Sequence, residues 1–587
     1  MNPPWKLFCL VLLTGSSSLA ETLTVPHFFS DHMVLQRNVP AAVWGKAAPG
    51  AAVKVTFKGN TGQVVADENG DWKTAVVTGL ADPRGSDLTV ESGDEKRVIE
   101  DVVVGEVWLA SGQSNMVWTV GRAETYGDEI AEADFPGIRF FNAPTVTSAE
   151  PADDIEGAWS LCHPETVPDY SGVAFFFARK LHQELGIPIG VIKTAWGGKP
   201  VETFTSREAL MSLEETQSMV EALLEEDAAF DPEQAQQLYE KRFADYEETL
   251  AAFRKKAPEA RGRAPRKPSP PKRPLLMEGK PGVLFDSMIH PFVGYTLRGA
   301  IWYQGEANAK VDRVPYDLTL PLMIHDWRER WDDEFSFYFV QLSNFKEPAT
   351  EPGNDDPWPL LQDRMRLVLG TTPKTGMAVI NDVGEADDIH PKNKQDPGER
   401  LARWALAKDY GRNLVYSGPL YRAHRVRDGA VKVLFDHAGT GLEPRGKGPL
   451  KRFEIAAEDQ VWHWANAKIE GPDAVVVSSK QVPEPVAVRY AWAANPEGAN
   501  LVNSEGLPAS VFRTDDWDDV VSIEAIEAAT AEARKELQQD QGTGCQTNSA
   551  GARERRVQSS GCRARQADGG MASLGAESIN RLRLQTL

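Results

Sequence analysis

A serine hydroxyl and a histidine ring are the two groups in this sequence whose surroundings best suit nucleophilic catalysis. Ser114 lies in the run Gly112-Gln113-Ser114-Asn115, directly after an apolar stretch typical of a buried strand. A sharp turn there exposes a side chain at the carboxyl edge of a sheet, where α/β proteins bind their ligands. Serine becomes a nucleophile only when a base takes its proton. Because the run departs from the Gly-x-Ser-x-Gly elbow, it does not by itself distinguish a nucleophile from a polar turn.

His390 is the candidate base, in the run Asp387-Asp388-Ile389-His390-Pro391. A carboxylate beside an imidazole fixes its tautomer and stabilises its cation. Asp387 could reach the ring in a tight turn, whereas Asp388 could do so in an extended stretch, where side chains two residues apart share a face. Pro391 restricts His390 to extended conformations but does not decide how the preceding residues turn. Both carboxylates therefore stay candidates.

Two further runs could bind the oxyanion that forms during acyl transfer, Thr194–Pro200 and Tyr303–Asn308, each after a predicted strand. Such an intermediate needs hydrogen-bond donors aimed at its oxygen. Glycine permits close backbone approach, and glutamine or asparagine supplies an amide donor. The aromatic residues Trp196, Trp302 and Tyr303 could line a sugar site, although Trp302 fits a core position equally well.

The elements that must position these groups fall into three regions. Residues 21–104 contain short alternating strands separated by turns, which predict an N-terminal β-sandwich. Residues 105–414 alternate buried strands with helices, which predicts a parallel sheet with helices on both faces. Residues 415–520 return to strands and predict a C-terminal β-domain. A chain of 587 residues is too long for one core and is expected to hold two to four domains.

Three segments stand outside that plan. Residues 205–255 predict a helical insertion with an apolar stripe, which we expect to pack on the domain because it is too short for a coiled coil; the stripe consists of Tyr239, Phe243, Tyr246, Leu250 and Phe253. Residues 256–274 are rich in Pro, Lys and Arg and predict an extended linker. Residues 537–587 have too little apolar content to fold, so we expect a disordered tail.

The N-terminus predicts export. An apolar run, Leu7–Leu13, follows Lys6, and small residues at Ser18 and Ala20 are typical of a signal-peptidase site. We therefore expect residues 1–20 to be a signal peptide cleaved after Ala20, and the mature protein to be secreted or periplasmic. The alternative is a buried N-terminal strand. The run is too short to span a bilayer, and no later stretch is long enough.

Composition excludes several classes of function. The 64 basic and 85 acidic residues give a net charge of −21, which argues against a general nucleic-acid binder. The four cysteines are too few and too scattered for a zinc site or a disulfide framework. There is no His-Glu-x-x-His run either, so we expect no metal and no cofactor. Nothing in the sequence indicates the oligomeric state.

Taken together, four runs resemble the blocks of the sialate O-acetylesterases, a family of the SGNH hydrolase superfamily; they are Gly105–Met116, Thr194–Gly198, Ile301–Asn308 and Asp388–Gln395. Phe29–Arg37 and Arg489–Trp492 resemble that family's flanking β-regions. The resemblance covers roughly residues 22–520 in order. It implies a flavodoxin-like SGNH hydrolase core flanked by N-terminal and C-terminal β-domains.

The resemblance also implies roles for individual residues. Ser114 would be the nucleophile and His390 the base. The Asp-x-x-His spacing of the wider superfamily favours Asp387 as the orienting acid, with Asp388 as the alternate. The oxyanion would be bound by the Ser114 and Gly198 amides together with Gln304 and Asn308. The substrate-binding candidates are Gln113, Trp196, Tyr303 and Glu306.

The expected function is that of a carbohydrate O-acetylesterase, and within that class a sialate O-acetylesterase, with an acetylated sugar or glycan as substrate. An acetylxylan or other plant-polysaccharide esterase is the first alternative, because these motifs recognise the acetyl group and not the glycan. A non-catalytic carbohydrate-binding protein is the second. The intact Ser114 and His390 favour an enzyme.

Overall fold

The computed structural model describes residues 23–124, 126–255, 264–310 and 313–517. All of them belong to one compact unit, Met1–Ala529. The predicted signal peptide, the predicted tail and residues 256–263 of the predicted linker lie outside the described residues.

The N-terminal region consists of strands that lead directly into the central sheet. On β3 the alternating residues Val53, Val55 and Phe57 are buried and Lys54 is exposed, as the period-two pattern predicts. β7 pairs antiparallel with β6 through its first part and then continues between parallel neighbours. The expected boundary at residue 104 therefore falls inside one strand. The strands are β1 (Val34–Gln36), β2 (Pro40–Lys46), β3 (Ala52–Phe57), β4 (Asn60–Val65), β5 (Asp71–Val77), β6 (Asp82–Ser92) and β7 (Glu95–Gly112).

The central sheet has the strand order β13-β12-β11-β7-β10-β8-β9. Its neighbours are parallel except β8 and β9, which pair antiparallel. Every residue of β11 and β12 is buried, as expected for strands covered on both faces. The mixed α/β class is confirmed, although the sheet is mixed rather than purely parallel. The additional strands are β8 (Phe135–Asn142), β9 (Trp159–Cys162), β10 (Ile189–Ala195), β11 (Gly299–Tyr303), β12 (Ser336–Val340) and β13 (Thr375–Ala378).

The helices include a closely packed pair, α3 and α9, that supports the sheet. A Cβ at Gly398 of α9 would lie 2.6 Å from the Val173 carbonyl oxygen of α3, so glycine permits this close approach. α9 begins just after the loop that carries His390, which ties that loop to the core. The helices are α1 (Ser114–Val117), α2 (Tyr126–Glu132), α3 (Gly172–Leu185), α4 (Arg207–Met211), α5 (Glu214–Ala228), α6 (Pro232–Lys255), α7 (Tyr316–Trp331), α8 (Pro357–Thr371) and α9 (Gln395–Lys408).

The predicted helical insertion consists of α4, α5 and α6. α5 buries Thr216, Val220 and Leu223, whereas α6 buries no side chain completely. The stripe on α6 is only half-buried, and the Lys267 ammonium lies 5.4 Å from the centre of the Phe243 ring. The expected packing of the stripe on the domain is therefore partial.

The C-terminal strands enclose a hydrophobic core of their own, which includes Val433, Phe435, Ile455, Val488 and Phe512. The N-terminal strands instead share one continuous core with the central sheet. Two four-stranded sheets have the orders β14-β15-β20-β19 and β18-β17-β21-β23, and β16 pairs with β22. The strands are β14 (Leu420–Arg427), β15 (Ala430–Asp436), β16 (Leu442–Pro444), β17 (Phe453–Ala456), β18 (His463–Trp464), β19 (Asn466–Ile469), β20 (Ala474–Ser478), β21 (Ala487–Tyr490), β22 (Leu501–Asn503) and β23 (Phe512–Arg513).

Candidate active site

Ser114 and His390 meet at the carboxyl end of β7. Ser114 is the first residue of α1 and follows the strand after a single turn residue, Gln113. The Nε2 atom of His390 lies 2.9 Å from the Ser114 Oγ, although the two residues are 276 positions apart. A proton can pass between heavy atoms at this separation. The geometry therefore suits a serine activated by a histidine base.

The carboxylate beside His390 is that of Asp388, which corrects the preference for Asp387. Asp388 Oδ1 lies 3.3 Å from His390 Nδ1 and accepts the His390 backbone N–H at 2.9 Å. Asp387 is exposed and has no hydrogen bond or ion pair with the described residues. The backbone hydrogen bond turns the Asp388 side chain back onto the ring, in the manner of an Asx turn. That bond, together with the positive neighbours, lowers the pKa of Asp388.

An aromatic ring and a guanidinium complete the surroundings of His390. Trp118 stacks on the imidazole with ring centres 5.1 Å apart, and the Arg122 Cζ lies 3.8 Å from the centre of the Trp118 ring. Burial lowers the pKa of His390, the Asp388 carboxylate opposes this, and the cations of Lys394 and Arg122 add to it. The imidazole therefore stays neutral to a lower pH than usual. Sequence reasoning missed Trp118 and Arg122, whose one signal was their closeness to Ser114.

Gln304 does not donate to an oxyanion as expected, because its amide is engaged beneath the site. Its Nε2 donates to Gln113 Oε1 at 3.2 Å, to the Lys199 carbonyl at 3.2 Å and to Asn308 Oδ1 at 2.7 Å. Its Oε1 accepts the Tyr316 hydroxyl at 2.6 Å. Gln304 is 0% exposed. Its hydrogen bonds therefore connect the turn that carries Ser114 with the loops that carry Lys199 and Asn308.

Asn308 and Gln113 belong to the same buried network, and both predictions for them are corrected. Asn308 Nδ2 donates to the two carboxylate oxygens of Glu202, at 3.0 and 3.1 Å. Gln113 Oε1 accepts from Gln304 and from the Ala307 N–H at 3.2 Å. Both side chains are buried, so neither Asn308 as an oxyanion donor nor Gln113 as a substrate ligand agrees with the geometry.

The backbone donors remain available. Within the described part of the chain, the N–H groups of Ser114 and Gly198 donate to no acceptor. The loop that carries Gly198 passes directly over the nucleophile, since a Cβ on Gly197 would lie 3.4 Å from the Ser114 Cβ. Gly198 has φ +70°, in the left-handed region that favours glycine. The arrangement suits an oxyanion site made of main-chain amides.

Two of the other predicted substrate ligands face the protein. Tyr303 is 1% exposed, and burial raises its pKa well above the usual value. Glu306 accepts the Asn115 Nδ2 at 2.5 Å, and its Oε2 is buried. The prediction for Tyr303 is corrected, because a sugar cannot reach a buried side chain, whereas Glu306 is half-buried and stays a prediction. Trp196 is partly exposed and lies under the Lys199 ammonium, 5.6 Å from the ring centre.

A cavity of about 770 Å³ lies beside the His390 loop and reaches the C-terminal region. Lys392 and Asn393 line it from the loop, and Arg445 lines it from the segment just after β16. Among the described residues that line it, none is aromatic; the others are Glu124, Asp382, Val383, Gly384, Glu385, Asp396 and Arg400. The space is polar and large enough for sugar hydroxyls.

No group of three or more His, Cys, Asp or Glu side chains in the described ranges is arranged to hold a metal ion. None of the helices given above combines the length and the hydropathy that a bilayer-spanning segment requires.

Comparison with known proteins gives a consistent set of relatives. The mouse sialate O-acetylesterase is 28% identical over 558 residues, covering 87% of this chain and 98% of its own. The human protein of that name is 28% identical over 432 residues, covering 67% and 72%. The crystal structure of a carbohydrate acetylesterase from Xanthomonas citri is 34% identical with a TM-score of 0.70, covering 84% of this chain and 100% of its own. No family model matches the sequence.

Proposed function

Since the chain belongs to the sialate O-acetylesterase family, we propose that it cleaves acetyl esters through an acyl-enzyme on Ser114, and that its substrates are O-acetylated sialic acids. Its activity is that of a carbohydrate O-acetylesterase, a carboxylic ester hydrolase. The observation that carries the mechanism is the 2.9 Å contact between His390 Nε2 and Ser114 Oγ. It lies beside the main-chain N–H groups of Ser114 and Gly198, which have no acceptor among the described residues.

The proposed reaction uses that geometry. Ser114 Oγ attacks the acetyl carbonyl carbon while His390 Nε2 takes its proton. The Ser114 and Gly198 amides bind the oxyanion. The intermediate then breaks the bond to the sugar oxygen, which leaves with the proton held by His390. A water molecule, deprotonated by His390, attacks the acyl-enzyme and releases acetate, and Ser114 regains its proton.

Asp388 would orient the imidazole and stabilise its cation during both steps. Its short reach to Nδ1 and to the His390 backbone supports this role. The neutral ring favoured by burial is the form that accepts a proton. The Trp118 ring limits rotation of the imidazole by stacking on it.

Arg122 supports an acidic sugar as substrate. Its guanidinium is exposed and adjoins the Trp118 ring that stacks on the base. Arginine binds carboxylates through paired, charge-assisted hydrogen bonds. Sialic acids carry a carboxylate, which acetylxylan does not have. The remainder of a glycan would extend into the polar cavity beside Lys392 and Arg445.

Two measurements test the proposal. A fluorophosphonate probe should label Ser114 in the full chain, because such probes react with activated serines; an unlabelled protein would favour the non-catalytic alternative. Acetate release should be faster from acetylated sialic acid than from acetylated xylan. Arg122→Met should lower the first rate selectively, with Arg425→Met as an exposed control. Faster release from xylan would support the polysaccharide alternative instead.

The fold that accompanies this proposal is an SGNH-type core, residues 105–414, between two β-domains, residues 21–104 and 415–520. Counting β7, β10, β11, β12 and β13 in chain order, the sheet has the order 2-1-3-4-5 that flavodoxin-like folds use. Secretion after cleavage at Ala20 belongs to the same proposal, and N-terminal sequencing of the exported protein tests it.

A further inference from the structure

A lysine ammonium is buried directly behind the serine–histidine pair. Lys394 is 1% exposed, and its Nζ donates to Asn115 Oδ1 at 2.6 Å. The ammonium lies 5.4 Å from the centre of the Trp118 ring and 5.8 Å from that of Tyr303. No carboxylate of the described residues lies within ion-pair distance of it. Burying a cation without a paired carboxylate has a large desolvation cost. A role of this lysine in the neighbouring site would explain why the charge is retained there.

Asn115 joins this lysine to both members of the catalytic pair. It directly follows Ser114 in the chain, and its Nδ2 donates to the Ile389 carbonyl at 3.1 Å as well as to Glu306. Ile389 precedes His390 and Lys394 follows it. The Asn115 side chain therefore connects the turn that carries Ser114 to the loop that carries His390. It contacts that loop both before His390, at Ile389, and after it, at Lys394.

We propose that Lys394 is a positioning residue of the esterase reaction, which holds the His390 loop in register with Ser114 through its hydrogen bond to Asn115. This inference rests on the proposed function of Ser114 and His390. Lys394 touches neither the ester nor the reacting atoms and acts through Asn115. The rings of Trp118 and Tyr303 lie beside its ammonium.

The charge of Lys394 also affects the base. Three charged groups act on His390, namely Asp388, which raises its pKa, and Lys394 and Arg122, which lower it. Lys394 itself has its pKa lowered to about 7 by burial, against the opposing effect of Glu306, Asp388 and Glu385 and with a further lowering by Arg122. Lys394 is therefore charged below neutral pH and loses its charge as the pH rises through about 7.

The test replaces Lys394 in the full-length protein and measures kcat and KM on an activated acetyl ester from mildly acidic to mildly alkaline pH. Lys394→Met should lower kcat about a hundredfold with little change in KM, because a displaced base costs about that much. Its acid limb should move to higher pH, because His390 loses a cationic neighbour. Lys408→Met, which changes an exposed lysine at the end of α9, should behave as wild type.

The Lys394→Gln variant and chemical rescue distinguish a positioning role of Lys394 from the mere filling of space by its side chain. Gln retains a donor for Asn115 without a charge, so it should recover part of kcat and keep the shifted acid limb. Added ethylammonium should partly restore Lys394→Ala. A wild-type kcat in Lys394→Met would overturn the inference. So would a loss of kcat that is equal at every pH, with an unshifted acid limb and no rescue by ethylammonium. If Lys394→Met fails to fold, the Gln variant and the rescue decide. Full activity of Ser114→Ala, measured in parallel, would instead overturn the proposed function.

Discussion

The two halves of the candidate catalytic pair are supported in different ways. Ser114 follows a strand whose last residues, 102–112, are all buried. The side-chain amides of Gln113 and Gln304, which are hydrogen-bonded to each other, are buried next to it. His390 lies on a loop without regular structure, and its side chain is 27% exposed. The sheet thus places the nucleophile, whereas a few side-chain contacts place the base. Changes on the histidine side should alter turnover with little loss of stability, and changes beneath the serine should alter stability first.

The largest effect is expected at the meeting point of the two sides. Ser114→Ala removes the nucleophile and should lower acetate release by about a thousandfold or more, since the loss of a triad member typically costs several powers of ten. The melting temperature should hardly change, because the hydrogen bond that the hydroxyl makes is to His390, which is itself partly exposed. Acetate release and thermal unfolding measure the two quantities. A variant that keeps a tenth of the activity would show that another group is the nucleophile.

On the histidine side, the two neighbouring acids give a matched pair. Asp388→Asn should lower kcat on the order of a thousandfold, because tautomer control is lost, and Asp387→Asn should leave it nearly unchanged. Removing the Asp388 charge also removes a group that raises the pKa of His390, so the residual activity should have its acid limb at lower pH. Both variants should unfold at the wild-type temperature.

Measuring kcat of the two variants across pH shows whether Asp388 or Asp387 orients His390. A large loss in Asp387→Asn would reverse the assignment. Near-normal turnover in both would indicate a Ser-His dyad.

Substitutions in the buried network around Gln304 should lower the stability of the fold. Gln304→Ala leaves buried partners such as the Tyr316 hydroxyl and Gln113 Oε1 with fewer hydrogen bonds, which should lower the free energy of unfolding by about 2–3 kcal/mol. Gln236→Ala makes the same change on the exposed surface of α6, where its partner is Glu240, and should cost almost nothing. Denaturant unfolding measures both. An equal, small change in the two variants would mean that the network does not support the nucleophile.

The smallest effect is expected from a strong chelator, which should leave activity unchanged, because neither side of the proposed mechanism uses a metal. Acetate release before and after treatment is the measurement. A loss restored by zinc or calcium would contradict the mechanism on both sides of the site.

Much of the frame could be predicted from the sequence because strands and the turns after them have local signatures. Gly112 pairs with Ala195 on one side and with Tyr303 on the other, so the predicted runs do end at one edge of the sheet. The closeness of Ser114 and His390 followed from the family resemblance, since nothing local connects positions 276 apart.

The direction of individual side chains could not be predicted in the same way. Asp388 rather than Asp387 faces the ring because of a hydrogen bond to the backbone, and the spacing of the residues does not reveal it. Gln304 and Asn308 lie in a polar turn as expected, yet they face inward because Glu202 and Tyr316 offer partners there. Asn115 and Lys394 are 279 positions apart, so their contact has no local signal.

The separation between nucleophile and base sets an order of events during synthesis. A ribosome delivers Ser114 early and His390 only after 276 further positions, and the strands that flank β7 arrive between them. The central sheet depends on non-local pairing, so its closure comes late. Under the proposed mechanism, a growing chain that ends before residue 390 has no base, so hydrolysis of esters begins only after all strands of the central sheet have been synthesised.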